Sequence, residues 1–183
     1  MKKIFRDSII ATFIIASYAF PQWAQAQKYS NKVWRGVVTH VSDGDTLWVR
    51  PEAGGEAVDI RIDAIDAPEI CQDFGPEARA ALSARVLHKP VDVSPKRRDG
   101  YGRLLARLQE PGGADVGAWL VASGHAWAHQ YKSFKSVYGH EQAHAQAARK
   151  GLFANAPAVQ PREFRRRHGP CAHLAKKRAL HKK

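Results

Sequence analysis

The chain has 183 residues, 44% hydrophobic and 25% charged, with five Trp and seven Phe. That is enough apolar and aromatic material for one packed domain, and it excludes an intrinsically disordered chain. The net charge of +12 is unevenly placed: residues 161–183 hold nine Lys and Arg against a single Glu, so +8 of the total sits in the last 23 positions.

The first 26 residues read as an export signal. Lys2, Lys3 and Arg6 form a basic start, Ile9 to Phe20 is almost unbroken apolar sequence, and Ala24-Gln25-Ala26 supplies a small-x-small cleavage site. A membrane anchor is the alternative, but the run is shorter than the roughly 20 residues a spanning helix needs. The mature chain then starts near Gln27, in a periplasmic or extracellular compartment. There an even cysteine count permits a disulfide, and Cys71–Cys171 is the only intramolecular choice. Such a bond would stabilise by about 4–5 kcal/mol in the chain-entropy model. Free or intermolecular thiols are the alternative.

Val33 to Val41, rich in Val and Trp, predicts a strand. Asp43-Gly44 is a turn signal, and Thr46 to Val49 resumes the β pattern, which makes a hairpin. After the turn through Pro51 to Glu56, the residues Val58, Ile60, Ile62 and Ala64 alternate with Asp59, Arg61 and Asp63. That period of two gives one apolar and one polar face, with Arg61 on the polar side. Gly75-Pro76-Glu77 opens a helix that continues through Leu87. Val91 to Ser94 and Leu104 to Leu108 are two further strands joined by the turn Arg98-Asp99-Gly100-Tyr101-Gly102. Asp115 caps a second helix ending at Gly124, and a third runs from about Ser136 to Lys150 and stops at Gly151. Five short strands with about three helices make an α+β domain whose sheet fits a closed OB-type barrel better than a parallel sheet. After Phe153 the composition turns to Pro, Arg, Lys and His, so residues 156–183 read as a flexible basic tail. Such a tail binds polyanions without sequence preference, or is simply a solvated end.

Two acidic clusters lie at strand ends: Asp43-Gly44-Asp45-Thr46, and Asp63 through Asp66-Ala67-Pro68-Glu69. Carboxylate and carbonyl oxygens are hard ligands that suit Ca²⁺ or Mg²⁺ rather than zinc. Arg61 and Arg103 are interleaved with them. Carboxylates with two arginines are what phosphodiester hydrolysis requires: guanidinium groups and a metal neutralise phosphate charge, and a carboxylate activates water. Singly these residues say little, because Asp-Gly is usually a turn and surface Arg–Asp pairs are commonplace.

The ordered set Asp-Gly-Asp-Thr, Arg-Ile-Asp-Ala-Ile-Asp-Ala-Pro-Glu, Asp-Gly-Tyr-Gly-Arg and Gly-Leu-Phe resembles the staphylococcal nuclease family over about residues 33–155. The resemblance implies calcium held by Asp45, Asp66 and the carbonyl of Ala67. It further implies Glu69 orienting or activating water, Arg61 and Arg103 gripping phosphate, and Tyr101 contacting nucleotide. The expected activity is in-line hydrolysis of DNA and/or RNA, endonucleolytic and leaving 3′-phosphates. Two positions depart from the family pattern. Ala67 stands where the family has Thr, and the family's tyrosine-rich, base-stacking stretch is replaced around Trp127 to Lys132, where Tyr131 is a substitute.

Two other functions compete. A barrel of this type that has lost catalysis binds single strands only. His140-Glu141-Gln142-Ala143-His144 matches the zinc-protease signature HExxH, but Ala147 and Lys150 stand where the metzincin extension needs Gly and a third His. Trp34, Trp48, Trp119 and Trp127 are read as core residues rather than stacking platforms.

Overall fold

A computed structural model describes residues 32–129, 135–154, 158–169 and 171. Residues 1–26, read above as an export signal, and Tyr131 lie outside the described residues. Five strands close into a barrel: β1 (Trp34–Val41), β2 (Thr46–Pro51), β3 (Val58–Ile62), β5 (Pro90–Arg98) and β6 (Leu104–Gln109), in the order β1-β2-β3-β6-β5. β1 and β5 pair antiparallel to close the ring, and on that seam Arg35 and Asp92 face each other and form an ion pair at 2.8 Å. Among these five strands only β3 and β6 run parallel.

The alternation read in β3 is real. Val58, Ile60 and Ile62 are buried, whereas Asp59 and Arg61 are half-buried on the outer face. The barrel interior also takes Val38, Leu47, Val49, Val91, Val93 and Leu108. Helix α1 (Gly75–Val86) lays Ala78, Leu82 and Val86 on this core, four residues apart on one face. The alternation does not extend to Ala64. That residue takes φ 64°, in the left-handed region, and turns the chain into the short strand β4 (Ile65–Asp66), which pairs with β7 (Trp127–Ala128).

Helix α2 (Val116–Ala122) is capped as its sequence requires, with the Asp115 carboxylate accepting from the Ala118 amide at 3.0 Å. The same carboxylate accepts the buried Tyr138 hydroxyl at 2.9 Å, fixing the chain just before helix α3 (Gly139–Ala147). The Gly-Leu-Phe motif follows α3 as a 3₁₀ turn, Gly151–Phe153. Its glycine is dictated by a backbone crossing: a Cβ at Gly151 would lie 2.2 Å from the Gly124 carbonyl oxygen, and one at Gly124 would lie 2.3 Å from that of Lys150.

Two expectations are corrected. Trp48 is not core; it lies on the outer face of β2, 38% exposed. A fourth helix, α4 (Pro161–His168), occupies part of the segment read as a tail, and Cys171 just beyond it is bonded to Cys71. Among the described residues no helix is long and apolar enough to cross a membrane.

Candidate active site

The cleft is assembled by the β1–β2 turn, the β3–β4 corner and the turn before β6. Asp43 and Asp45 flank Gly44, where a Cβ would meet the Cβ atoms of Ala67 and Ala78 at 2.7 and 2.8 Å. Glycine therefore lets the acidic turn press onto the segment carrying Asp66 and onto α1. The small side chain of Ala67 sits at that same contact.

Asp45 enters β2 one residue before Thr46, which is in register with Arg61 on β3. This register brings the Arg61 guanidinium to both acidic segments: Nη2 donates to Asp45 Oδ2 at 3.1 Å and to Asp66 Oδ1 at 2.7 Å. Asp45 is buried and its other contacts are made, from the Thr46 hydroxyl at 2.9 Å and the Ala67 amide at 3.0 Å. A carboxylate gripped by several donors is fixed in place before any ligand arrives.

Arg103 is set by a side chain that motif reading did not single out. Asp99 Oδ1 accepts the Tyr101 and Arg103 amides at 2.9 and 3.0 Å, and Oδ2 accepts Arg103 Nε at 2.8 Å. The guanidinium then reaches the Thr46 hydroxyl at 3.3 Å, so Thr46 links the two arginines through Asp45. Tyr101 is 89% exposed, with its ring centroid 5.5 Å from the Arg103 guanidinium carbon. The signal for Asp99 is present in the sequence, because Asp-Gly-Tyr-Gly is an Asx-turn pattern.

Glu69 follows β4 in the loop leading to α1. Its side chain meets a partner absent from every motif: Arg165 of α4, whose Nη1 donates to Glu69 Oε1 at 2.5 Å and whose Nη2 lies 3.7 Å from Asp66 Oδ2. Asp45, Asp66, Glu69, Arg61, Arg103 and Tyr101 all line one open cleft of about 810 Å³, together with Arg165. The sequence-expected residues are thus brought to one place.

The charge balance of the cleft is acidic at its floor. Burial, then the neighbouring Asp45 charge, push the Asp43 carboxyl up to about 7. Burial and Asp45 likewise raise the Asp66 carboxyl above its ordinary range, against the pull of Arg61. Among the described residues no group of three or more His, Cys, Asp or Glu is arranged to hold a metal ion by itself. The expected set is narrower: two carboxylates and the Ala67 carbonyl. It fits a hard divalent cation in its chemistry, since Asp45 and Asp66 already converge on one guanidinium nitrogen, which offsets only part of the burial and mutual repulsion that raise the Asp66 carboxyl. The HExxH histidines do not form such a set; His140 and His144 are exposed on α3.

Fold and cleft define a small OB-type barrel protein with carboxylates and arginines gathered at its strand ends. The family described as staphylococcal nuclease homologue matches residues 59–155, more than half of the chain, and the span includes Arg61, Asp66, Glu69, Tyr101 and Arg103. The chain belongs to this family. A micrococcal nuclease of Shigella flexneri is 33% identical over 168 residues, covering 86% of this chain and 90% of the relative. An uncharacterized endonuclease of Escherichia coli is 36% identical over 132 residues, covering 72% and 85%. Another, from Haemophilus influenzae, is 35% identical over 129 residues, covering 70% and 71%.

Proposed function

We propose that the protein is an exported, calcium-dependent endonuclease that hydrolyses phosphodiester bonds of DNA and/or RNA and leaves 3′-phosphates. One observation carries this reading: two buried carboxylates share the Arg61 guanidinium in a cleft that also holds Glu69 and Arg103. Glu69 takes a proton from the attacking water as oxygen adds to phosphorus. The bond from phosphorus to the 5′-oxygen breaks, and solvent water protonates that oxygen so that it leaves as a 5′-hydroxyl, Glu69 returning its own proton to solvent. Arg61 and Arg103 neutralise the charge that builds on the non-bridging oxygens, each already oriented by carboxylates. A calcium ion on Asp45, Asp66 and the Ala67 carbonyl would supply Lewis-acid stabilisation of the same charge. Tyr101, exposed at the rim, offers a ring to a nucleotide.

Export is supported by the basic-apolar-small pattern of residues 1–26 and by the Cys71–Cys171 disulfide, a bond suited to an oxidising compartment. The test is digestion of plasmid DNA and of RNA by the purified mature chain, with Ca²⁺ and again with excess chelator. Cleavage with calcium and none with chelator is the expected result. Tight binding of either nucleic acid without cleavage would instead make it a binding-only barrel, and calcium-independent, zinc-dependent casein cleavage would restore the protease reading.

A further inference from the structure

The matched family span ends at residue 155, so helix α4 lies outside it. Yet α4 is attached to the cleft at both of its ends, and both attachments fall immediately after Glu69. Before the helix, the Gln72 side-chain amide donates to the Val159 carbonyl at 2.5 Å; beyond it, Cys171 is bonded to Cys71 and accepts the Cys71 amide at 3.1 Å. Pro161 at the helix start is buried. Residues 71 and 72 therefore fix α4 relative to the loop that carries Glu69.

The arginines of α4 divide into two sets. Arg166 and Arg167 turn back onto Glu163 of the same helix, at 2.7 and 2.5 Å. Arg162 and Arg165 line the cleft instead. Arg165 is the one in contact with the carboxylates, and its side chain remains 42% exposed while touching Glu69. An ion pair that exposed is a weak one, and a phosphodiester presents the same planar pair of oxygens to a guanidinium fork. The pair engages only Oε1 of Glu69, and transfer of Arg165 to a phosphate would leave the carboxylate a stronger base.

We propose that Arg165 is a third phosphate-binding guanidinium of the cleft. It is delivered by a helix that the disulfide staples to the Glu69 loop, and it passes from Glu69 to a substrate phosphate when nucleic acid enters. This rests on the nuclease reading for its substrate. The geometry gives the chain a grip on polyanion that the family core alone does not contain.

The test is Arg165→Ala, with Arg165→Lys beside it, read by steady-state cleavage of a single-stranded DNA oligonucleotide and by fluorescence anisotropy of the same oligonucleotide in chelator. Arg165→Ala should raise KM and Kd about tenfold, with a much smaller change in kcat, and reduce the salt dependence of binding by about one phosphate contact. Arg165→Lys should retain the salt slope and recover part of the affinity. The Cys71→Ser/Cys171→Ser chain should show a similar KM increase, with no further rise when Arg165→Ala is added. A higher kcat at unchanged KM would make Arg165 a plug on Glu69 and overturn the proposal. Unchanged KM, Kd and salt slope would reduce the contact to a structural pair, with the same consequence. If the wild-type chain cleaved neither DNA nor RNA, the nuclease reading would fail on its own, and Kd with its salt slope would still decide the role of Arg165.

Discussion

Arg61 and Arg165 reach the same acidic floor by different routes. Arg61 projects from a barrel strand, is 17% exposed, and donates to Asp45, Asp66 and the Ile65 carbonyl. Arg165 comes from a helix outside the matched family span, is 42% exposed, and sits on a helix tied to the Glu69 loop by a disulfide and by the Gln72–Val159 hydrogen bond. The contrast separates two demands on a catalytic cleft. In the proposed reaction Arg61 is held by β-sheet register and Arg103 by the Asp99 turn, which limits the reorganisation needed as charge builds on phosphorus. Groups that gather substrate need only be near and free to exchange partners.

Variants sharpen this contrast, and the barrel side should show the larger effects. Glu69→Gln should lower kcat by about 10²–10⁴ in oligonucleotide cleavage, the usual size of a general-base contribution, with little change in substrate binding. A near-normal kcat would move the base elsewhere. Arg103→Ala should cost about 10²–10³ in kcat, comparable to losing a charge-stabilising donor. If the loss appeared only in KM, Arg103 would belong with Arg165 rather than with Arg61.

The helix side should respond in KM and in stability rather than in kcat. Cys171→Ser removes a bond that closes a 100-residue separation and should cost about 2–5 kcal/mol in urea unfolding, while kcat at saturating substrate stays within a few-fold. A collapse of kcat would mean that the disulfide supports the chemistry directly. Gly124→Ala is the control away from both arginines. Its Cβ meets the Lys150 carbonyl and its φ is 74°, so a loss of about 1–3 kcal/mol without any change in KM is expected.

What could be read from the residues follows the same division. Alternation fixes β3 and the face of Arg61, Asp115 announces its cap, and the Asp-Gly-Asp-Thr and Asp-Gly-Tyr-Gly-Arg turns mark where side chains leave the barrel. These are local signals. The strand expected over Val91 to Ser94, the fourth of the barrel along the chain, is longer than that. In the fold the ladder passes Pro95 through a bulge and continues to Arg98, because a bulge accommodates the missing N–H. Trp48 misleads, since aromatic character alone does not say which face of a strand it occupies. Arg165 is illegible for a different reason. It lies 96 residues from Glu69, in a run of like charges that composition assigns to solvent. Only Cys171 hints that the run returns to the cleft, and a lone pair of cysteines does not reveal what their bond brings together.

In the proposed function the floor formed by Asp45 and Asp66 is where phosphodiesters are cut. This is tested most directly by the initial rate of single-stranded oligonucleotide cleavage at saturating Ca²⁺, for the wild-type chain and for Asp45→Asn/Asp66→Asn. Calcium-dependent cleavage by the wild type and a rate near background for the double variant are expected. Cleavage by the double variant at the wild-type rate would contradict that assignment and place the chemistry elsewhere on the molecule.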